Sequence, residues 1–348
     1  MHILHDADLT QLGTFGTPAR SRMFVHAADE RTLAQAVAMA RRDGLPWFVI
    51  GGGSNLILPE HYPGLVVRVA LRGVRVIAED TGGTTLAVAA GEVWHDLVRR
   101  SLGAGLCGLE AMALIPGTVG AAPVQNIGAY GGELADVFAA ARVLDSAGGG
   151  VSTFVAADCA FRYRDSRFKA LGEAALITEV QVRLVRGQPP RARYPEIMSE
   201  LAALGCVNAT ATQYAEAVIR VRRRKLPDVR RHGNVGSFFH NPLVDSARAD
   251  AMVARDPTLA RLRRDEATPD GPRVKFPAAA LIERAGWKGR VDGPVEAWRR
   301  QPLVLVNAGG ARRADVLSTA GRIQNDVETM FGVRLRIEPR IDFPAAAS

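Results

Sequence analysis

A mixed α+β fold is what this sequence predicts, and three observations predict it. Segments with helical spacing alternate along the chain with short runs that read as strands. The apolar fraction of 47% and charged fraction of 23% are ordinary values for a globular protein. At 348 residues the chain is long for one domain, so more than one unit is expected. Composition shifts and breaks place these units at 1–71, 72–186 and 187–332, with a closing segment over 333–348.

The first unit opens with T-F-G-T-P-A at 14–19. Asp29 is placed as the N-cap of a helix with Leu33, Ala36, Val37 and Ala40 on one face, and Gly44 stands where it should stop. Residues 47–50, W-F-V-I, form a short buried strand that runs straight into G-G-G-S-N at 51–55. Residues 56–58 and 65–69 read as further strands, so the glycine run sits in a β-loop-β order. In the second unit a strand over 86–90 is followed by an amphipathic helix carrying Val93, Leu97 and Val98 as far as Gly103. Strands follow around 142–144, 151–154 and 176–184; in the last, Val180, Val182 and Leu184 alternate with polar residues. Pro189 and Pro190 mark a break. The third unit has a basic helix over 213–224, a loop over 226–241, helices over 246–254 and 278–285, a strand over 303–306, and a helix over 315–331. A strand over 333–337 closes the chain.

Residues 114–133, L-I-P-G-T-V-G-A-A-P-V-Q-N-I-G-A-Y-G-G-E, fit neither period. They hold five glycines and two prolines and almost no charge before Glu133. This predicts a loop with fixed bends. Loops usually carry polar side chains into water. One this apolar lies against other protein or against a flat apolar ligand, and its glycines allow backbone N–H groups to approach that ligand.

The net charge of +8 suits a polyanionic partner, a nucleic acid or a phosphate-rich small molecule. No aromatic residues are interleaved with the arginine runs at 222–225, 230–231 and 261–264, which disfavours single-strand nucleic-acid binding. Cys107, Cys159 and Cys206 are too widely spaced for a disulfide framework or a zinc site, and a reducing compartment follows. The start M-H-I-L-H-D-A-D has no signal-peptide pattern, and no apolar stretch nears the roughly 20 residues of a membrane span. The expectation is a soluble cytoplasmic protein. The seven histidines show no ligand spacing, so no metal site is expected.

Four segments are candidates for chemistry. Residues 51–55 lack the third glycine and the following helix of a dinucleotide fingerprint, since Leu56 opens an apolar run; a glycine turn between strands can still bind phosphate through consecutive N–H groups, or be a plain hairpin. Residues 161–169 set Arg162, Arg164, Arg167 and Lys169 among Phe161, Tyr163 and Phe168, where an arginine can fork onto a carboxylate or phosphate, or where a strand end is merely solvated. In G-S-F-F-H-N-P, 236–242, Ser237 fits a nucleophile, a proton donor or a turn residue; the hydrolase elbow does not match. Glu338 lies beside Pro339 and Arg340, and a carboxyl near cations is expected to ionise and pair.

Taken together, T-F-G at 14–16, G-G-G-S-N-L at 51–56, the run from Gly108 to Glu133, Y-R-D-S-R-F-K at 163–169, R-x-x-K-L-P-D at 222–228, G-S-F-F-x-N-P at 236–242 and a closing F-G-V…E-x-R resemble the UDP-N-acetylenolpyruvoylglucosamine reductase family. The resemblance spans almost the whole chain, in the family's order. It implies a vanillyl-alcohol-oxidase-type (PCMH) FAD-binding fold in two subdomains, 1–71 and 72–186, and an α+β substrate-binding domain at 187–332, with 333–348 returning to the FAD-binding part. It implies non-covalent FAD, NADPH as hydride donor, and reduction of the enolpyruvyl ether of UDP-N-acetylglucosamine to UDP-N-acetylmuramate for peptidoglycan synthesis, and with it cell shape and division.

The same resemblance assigns residues. Gly51, Gly52, Gly53, Ser54, Asn55 and Leu56, with Ile115, Pro116, Gly117, Thr118, Gly120 and Ala121, are implied at the FAD diphosphate. Gln125, Asn126, Gly128, Ala129 and Tyr130 are implied near the flavin, and Arg340 with them. Arg164 and Glu338 are implied to stabilise the enolate that forms when hydride reaches the vinyl CH2, and Ser237 to protonate the neighbouring carbon. Tyr163, Tyr194, Lys225, Asn241 and Gln301 are implied contacts to the sugar nucleotide, Tyr194 belonging to a mobile tyrosine loop. The chain departs from the family at His240, where a lysine is often found, at 267–273, which lacks a tyrosine, and at Gly13. A monomer without nucleic-acid or membrane partners is expected. Another FAD oxidoreductase of the same fold, or a basic nucleic-acid-binding protein, are the alternatives; the first is opposed by G-S-F-F-H-N-P and the second leaves 114–133 unexplained.

Overall fold

The computed structural model describes residues 1–188, 190, 193–268 and 271–345. The break expected at Pro189 and part of the 267–273 loop lie outside them. The first sheet has four strands in the order Ile3–Asp8, Arg20–Ala27, His61–Val69, Trp47–Ile50. The first pair is antiparallel, and the other two neighbouring pairs are parallel. The helix Glu30–Arg42 starts where its cap predicts: the Asp29 carboxylate accepts a hydrogen bond from the Thr32 N–H at 2.6 Å. It buries Leu33, Ala36, Val37 and Ala40 against the sheet.

The strand expected over 56–58 does not form. Leu56 makes a single parallel bridge to Arg340, and the glycine run opens into a loop that reaches the C-terminal segment. Ile57 is buried in the third unit's core and Leu58 in the first unit's, so their apolar character reports burial without a sheet partner. A short apolar run cannot distinguish the two cases.

The second sheet is antiparallel, in the order Val151–Val155, Phe138–Asp145, Ala175–Arg186, Gly83–Ala89, Val74–Asp80. The helix Trp94–Gly103 buries Trp94, Leu97 and Val98 in its core. The helices Pro195–Ala203 and Ala211–Lys225 pack into that same core through Ile197, Leu201, Tyr214, Val218 and Val221.

The third unit has a four-stranded sheet in the order Asn234–Ser237, Val304–Asn307, Val295–Ala297, Val291–Asp292, and a smaller one in the order Leu243–Val244, Gly271–Lys275, Arg264–Thr268. Ser246–Arg255, Ala278–Arg284 and Arg313–Phe331 are its helices. The closing strand expected over 333–337 is reduced to one antiparallel bridge, Ile337 to Phe239. Val333 and Leu335 alternate inward and so imitate a strand in sequence, but they are packed as side chains without a ladder.

The first unit reaches into the third through the T-F-G turn. Phe15 is 1% exposed and belongs to the third unit's core. The Thr14 hydroxyl donates to the Asn234 carbonyl at 2.6 Å, and the Asn307 amide donates to the Phe15 carbonyl at 3.2 Å.

Residues 114–133 are irregular, as their composition predicts. Short 3-10 turns at Val119–Ala121 and Pro123–Gln125 precede a small hairpin, Gly128–Ala129 with Gly132–Glu133. Val119 and Ala122 are buried in the second unit's core, so one side of the stretch lies against protein.

Candidate active site

The glycine run 51–53 faces the bend at Gly117. A Cβ on Gly52 would lie 2.8 Å from the Gly117 Cα, and one on Gly51 2.3 Å from the Thr118 hydroxyl. Only backbone without a side chain fits there. Among the described residues, no N–H of positions 51–56, nor those of Gly117 and Thr118, donates a hydrogen bond to protein. Half-buried N–H groups without acceptors are costly unless something else accepts from them. Brought together on two facing loops, they form a concave anion site of the kind that holds a diphosphate. Beside it runs the apolar stretch through Ile127 and Tyr130. These residues fit FAD: the cradle for its diphosphate, the stretch for its flat ring. Arg340 joins the cradle through its backbone, its N–H donating to the Asn55 carbonyl at 3.0 Å and its carbonyl accepting from Ile57 at 2.9 Å. Its guanidinium is held by Glu173 at 2.6 Å and lies over Phe343.

Further along the stretch, at Gln125 and Gly128, is a corner made of side chains. Arg164 donates through Nη2 to the Gly128 carbonyl at 2.6 Å, and its Nε lies 3.5 Å from Glu338 Oε1. Glu338 is fixed by its own backbone: its N–H donates to the Phe238 carbonyl at 3.0 Å, and its carbonyl accepts from the Gln125 amide at 3.3 Å. His240 Nδ1 lies 3.7 Å from Glu338 Oε2. The side chains of Glu338 and His240 are only 11% and 9% exposed. Burial pushes the Glu338 carboxyl up to about 7, against the opposing pull of Arg164 and Lys169. This corrects the expectation that Glu338 simply ionises and pairs: burial disfavours the charge more than its cations favour it. Burial, with Lys169, Arg336 and Arg164, pushes His240 down to about 4.

Ser237 ends the strand Asn234–Ser237, one residue before the Phe238 carbonyl that receives the Glu338 N–H. Tyr163, next to Arg164, has Lys275 Nζ 3.9 Å from its ring centroid, and burial raises its phenol. Backbone strain gathers here too. Of the non-glycine residues with positive φ, Leu114, Asn126 and Tyr130 lie on the apolar stretch and Arg164 stands beside it, at φ 62°, 42°, 49° and 53°. Each is tolerated only where its surroundings hold it, and such residues concentrate at functional sites.

The remaining predicted contacts lie further out. Tyr194 meets Tyr130 edge to face with ring centroids 5.4 Å apart, and is 39% exposed. Lys225 pairs with Glu196 at 2.7 Å. The Asn241 side-chain oxygen accepts from the Ala278 N–H at 2.9 Å, at the start of the helix Ala278–Arg284. Gln301 closes a turn between Trp298 and Val304 through its backbone; its side chain makes no hydrogen bond among the described residues. Two residues of the quoted motifs, to which the sequence assigns no role, also bear on the site. Lys169 bears on both Glu338 and His240. Arg222 is inside, near Tyr130 and Arg164, with burial lowering its guanidinium and with no acceptor for Nε among the described residues. Its spacing from Ala215 and Val218, on the buried helix face, was the available signal.

Residues 21–154 match the FAD binding domain family, and residues 228–341 match the C-terminal domain of UDP-N-acetylenolpyruvoylglucosamine reductase. A relative of that name from Paraburkholderia phymatum is 47% identical over 337 residues, covering 96% of each chain. The chain belongs to the UDP-N-acetylenolpyruvoylglucosamine reductase family. Another member, from Azoarcus sp., is 45% identical over 341 residues and 97% of each chain. The solved structure of the reductase from Thermus caldophilus covers 98% of both chains at 24% identity with a TM-score of 0.66, a likeness of fold. The fold is thus the vanillyl-alcohol-oxidase-type α+β fold of this family, and FAD is its cofactor. No described helix is long and apolar enough to cross a membrane.

Proposed function

We propose that this chain uses NADPH to reduce the enolpyruvyl ether of UDP-N-acetylglucosamine to UDP-N-acetylmuramate. FAD, when bound in the cradle, supplies hydride transfer between NADPH and the vinyl group. The observation that carries the reading is the half-buried Arg164–Glu338 pair, hydrogen-bonded through Gly128 and Gln125 to the stretch that flanks the cradle.

Hydride arriving at the vinyl CH2 leaves negative charge on the neighbouring carbon and in the adjoining carboxylate. Arg164, held by the Gly128 carbonyl, faces that charge as a fixed cation. Glu338, raised by burial to about 7, is protonated in a large fraction of molecules near neutral pH, and in that form it donates a hydrogen bond to the developing enolate. Preorganised groups of this kind contribute about 3 kcal/mol each. Ser237 gives its proton to the carbon; an alcohol is a weak acid but a carbanion is a strong base. Tyr163, Tyr194, Lys225, Asn241 and Gln301 hold the sugar nucleotide, with Tyr194 moving off Tyr130 to admit it. In this reading 1–71 and 72–186 bind FAD, 187–332 binds substrate, and the protein works as a cytoplasmic monomer without nucleic acid or membrane.

The test is turnover. Purified protein is yellow and oxidises NADPH steadily only with the enolpyruvyl sugar nucleotide. Steady oxidation with an unrelated acceptor alone, or a colourless protein that binds DNA, overturns the reading.

A further inference from the structure

His240 lies against Glu338 with its side chain only 9% exposed, and its surroundings give that contact a consequence. An antiparallel bridge between Phe239 and Ile337 fixes the two backbones. It is framed by hydrogen bonds from the His240 N–H to the Arg336 carbonyl at 2.9 Å and from the Glu338 N–H to the Phe238 carbonyl at 3.0 Å. His240 and Glu338 are therefore diagonal neighbours on one face of the pairing, close enough for side chains to interact. The carboxyl is flanked on both sides, by Arg164 at Oε1 and by His240 Nδ1 at Oε2.

Charge decides which member holds a proton. Arg164 on the 161–165 turn, Lys169 on the helix Arg167–Leu171, and Arg336 on the C-terminal segment all bear on the imidazole. Lys275, on the strand Gly271–Lys275, adds a cation over the Tyr163 ring, itself 6.4 Å from the His240 ring. Glu338 is the carboxylate paired with His240 among the described residues. A buried imidazolium would add a fourth positive charge to Arg164, Lys169 and Arg336. The ring stays neutral instead, and its burial withholds the water that would otherwise solvate a Glu338 carboxylate.

We propose that His240 is a positioning residue for Glu338: packed against Oε2 and carrying no charge, it shields the carboxyl from water without adding a cation, so that the carboxyl and not the imidazole is the member that holds a proton. In solution the order is the reverse, since imidazole is the stronger base. A lysine at the same position would place a fixed positive charge against Oε2 and drive the proton off. The inference rests on the reading that Glu338 acts on the substrate.

The experiment follows reoxidation of the NADPH-reduced holoenzyme by the enolpyruvyl sugar nucleotide, in anaerobic stopped flow from pH 5.5 to 9. The wild-type rate falls on the alkaline side as Glu338 loses its proton. His240→Lys moves that limb to lower pH by one unit or more, and His240→Gln, which stays neutral, leaves it within a few tenths. Equal limbs in wild type and His240→Lys overturn the proposal. A Glu338→Ala variant, which has no donor to offer, that reoxidises at the wild-type rate overturns the underlying reading instead, whatever His240 does. Nitrogen-15 NMR of the substrate-free wild-type enzyme needs no variant. A neutral His240 ring at pH 5.5 is expected, and one that titrates between pH 6 and 7 overturns the proposal.

Discussion

The cradle and the acid corner meet one apolar stretch at different points, the first at Gly117 and Thr118 and the second at Gln125 and Gly128, and are built on opposite principles. The cradle is backbone: free N–H groups on two loops that approach closely because glycine carries no side chain. The corner is side chain: Arg164, Glu338 and His240 come from distant segments and are tuned by burial and by one another. A backbone site binds any ligand of the right shape and charge and is lost to steric change. A side-chain site is lost to single changes of chemistry and responds to pH.

The comparison predicts how each half breaks. Gly52→Leu, which drives a side chain into Gly117, gives a colourless protein, whereas Ser54→Ala retains FAD; visible absorbance of the purified variants decides. Loss of flavin in Ser54→Ala alone would mean that the cradle depends on a side chain. Next, Ser237→Ala lowers reoxidation of the reduced flavin by substrate about 10²- to 10⁴-fold. Its reduction by NADPH stays close to wild type, both read by stopped flow. Equal collapse of both half-reactions would make Ser237 structural. A smaller effect is expected further out: Tyr194→Ala raises KM for the sugar nucleotide about tenfold with little change in kcat, consistent with loss of about 1.4 kcal/mol of binding.

The smallest effect is on stability, and its sign follows from the two shifts. Glu338 holds its proton more tightly folded than unfolded, so its contribution is full below about 4.5 and fades as pH rises to about 7. His240 is the opposite: its contribution is full above about 6.5 and fades as pH falls to about 4. In the wild type the two slopes cancel between those limits. Glu338→Gln uncovers a stability that rises with pH, and His240→Gln one that falls, each by at most about 1.4 kcal/mol per pH unit. Urea unfolding midpoints from pH 4.5 to 6.5 measure both. Flat profiles in both variants would break the picture of a corner tuned by its own side chains.

Legibility in the sequence follows the same division. Asp29, the alternation at Val180, Val182 and Leu184, and the glycines of 114–133 act locally, so their structure was readable. The strand Val74–Asp80 was not, because it is a largely exposed edge without inward alternation. The helix Pro195–Ala203 was missed although Pro195 occupies the first turn, where proline is well tolerated. The FAD cradle could be suspected from composition. Arg164, Ser237 and Glu338 were reached through motif resemblance, because nothing local distinguishes them from solvated residues. Their electrostatic state was beyond reach: the protonation of Glu338 depends on burial set against Arg164 and Lys169, an environment that only the folded chain supplies.

The T-F-G turn has a consequence for how the protein is made. Phe15 completes a core whose other members begin at Ile57 and run to Leu335. The Asn307 amide that holds its carbonyl stands 292 positions downstream. On the ribosome, the first strands can pair early, but Phe15 has no place to go until nearly the whole chain has emerged. An apolar side chain near the N-terminus is thus made long before the core that covers it, and through most of synthesis it stands open to chaperones and to other nascent chains.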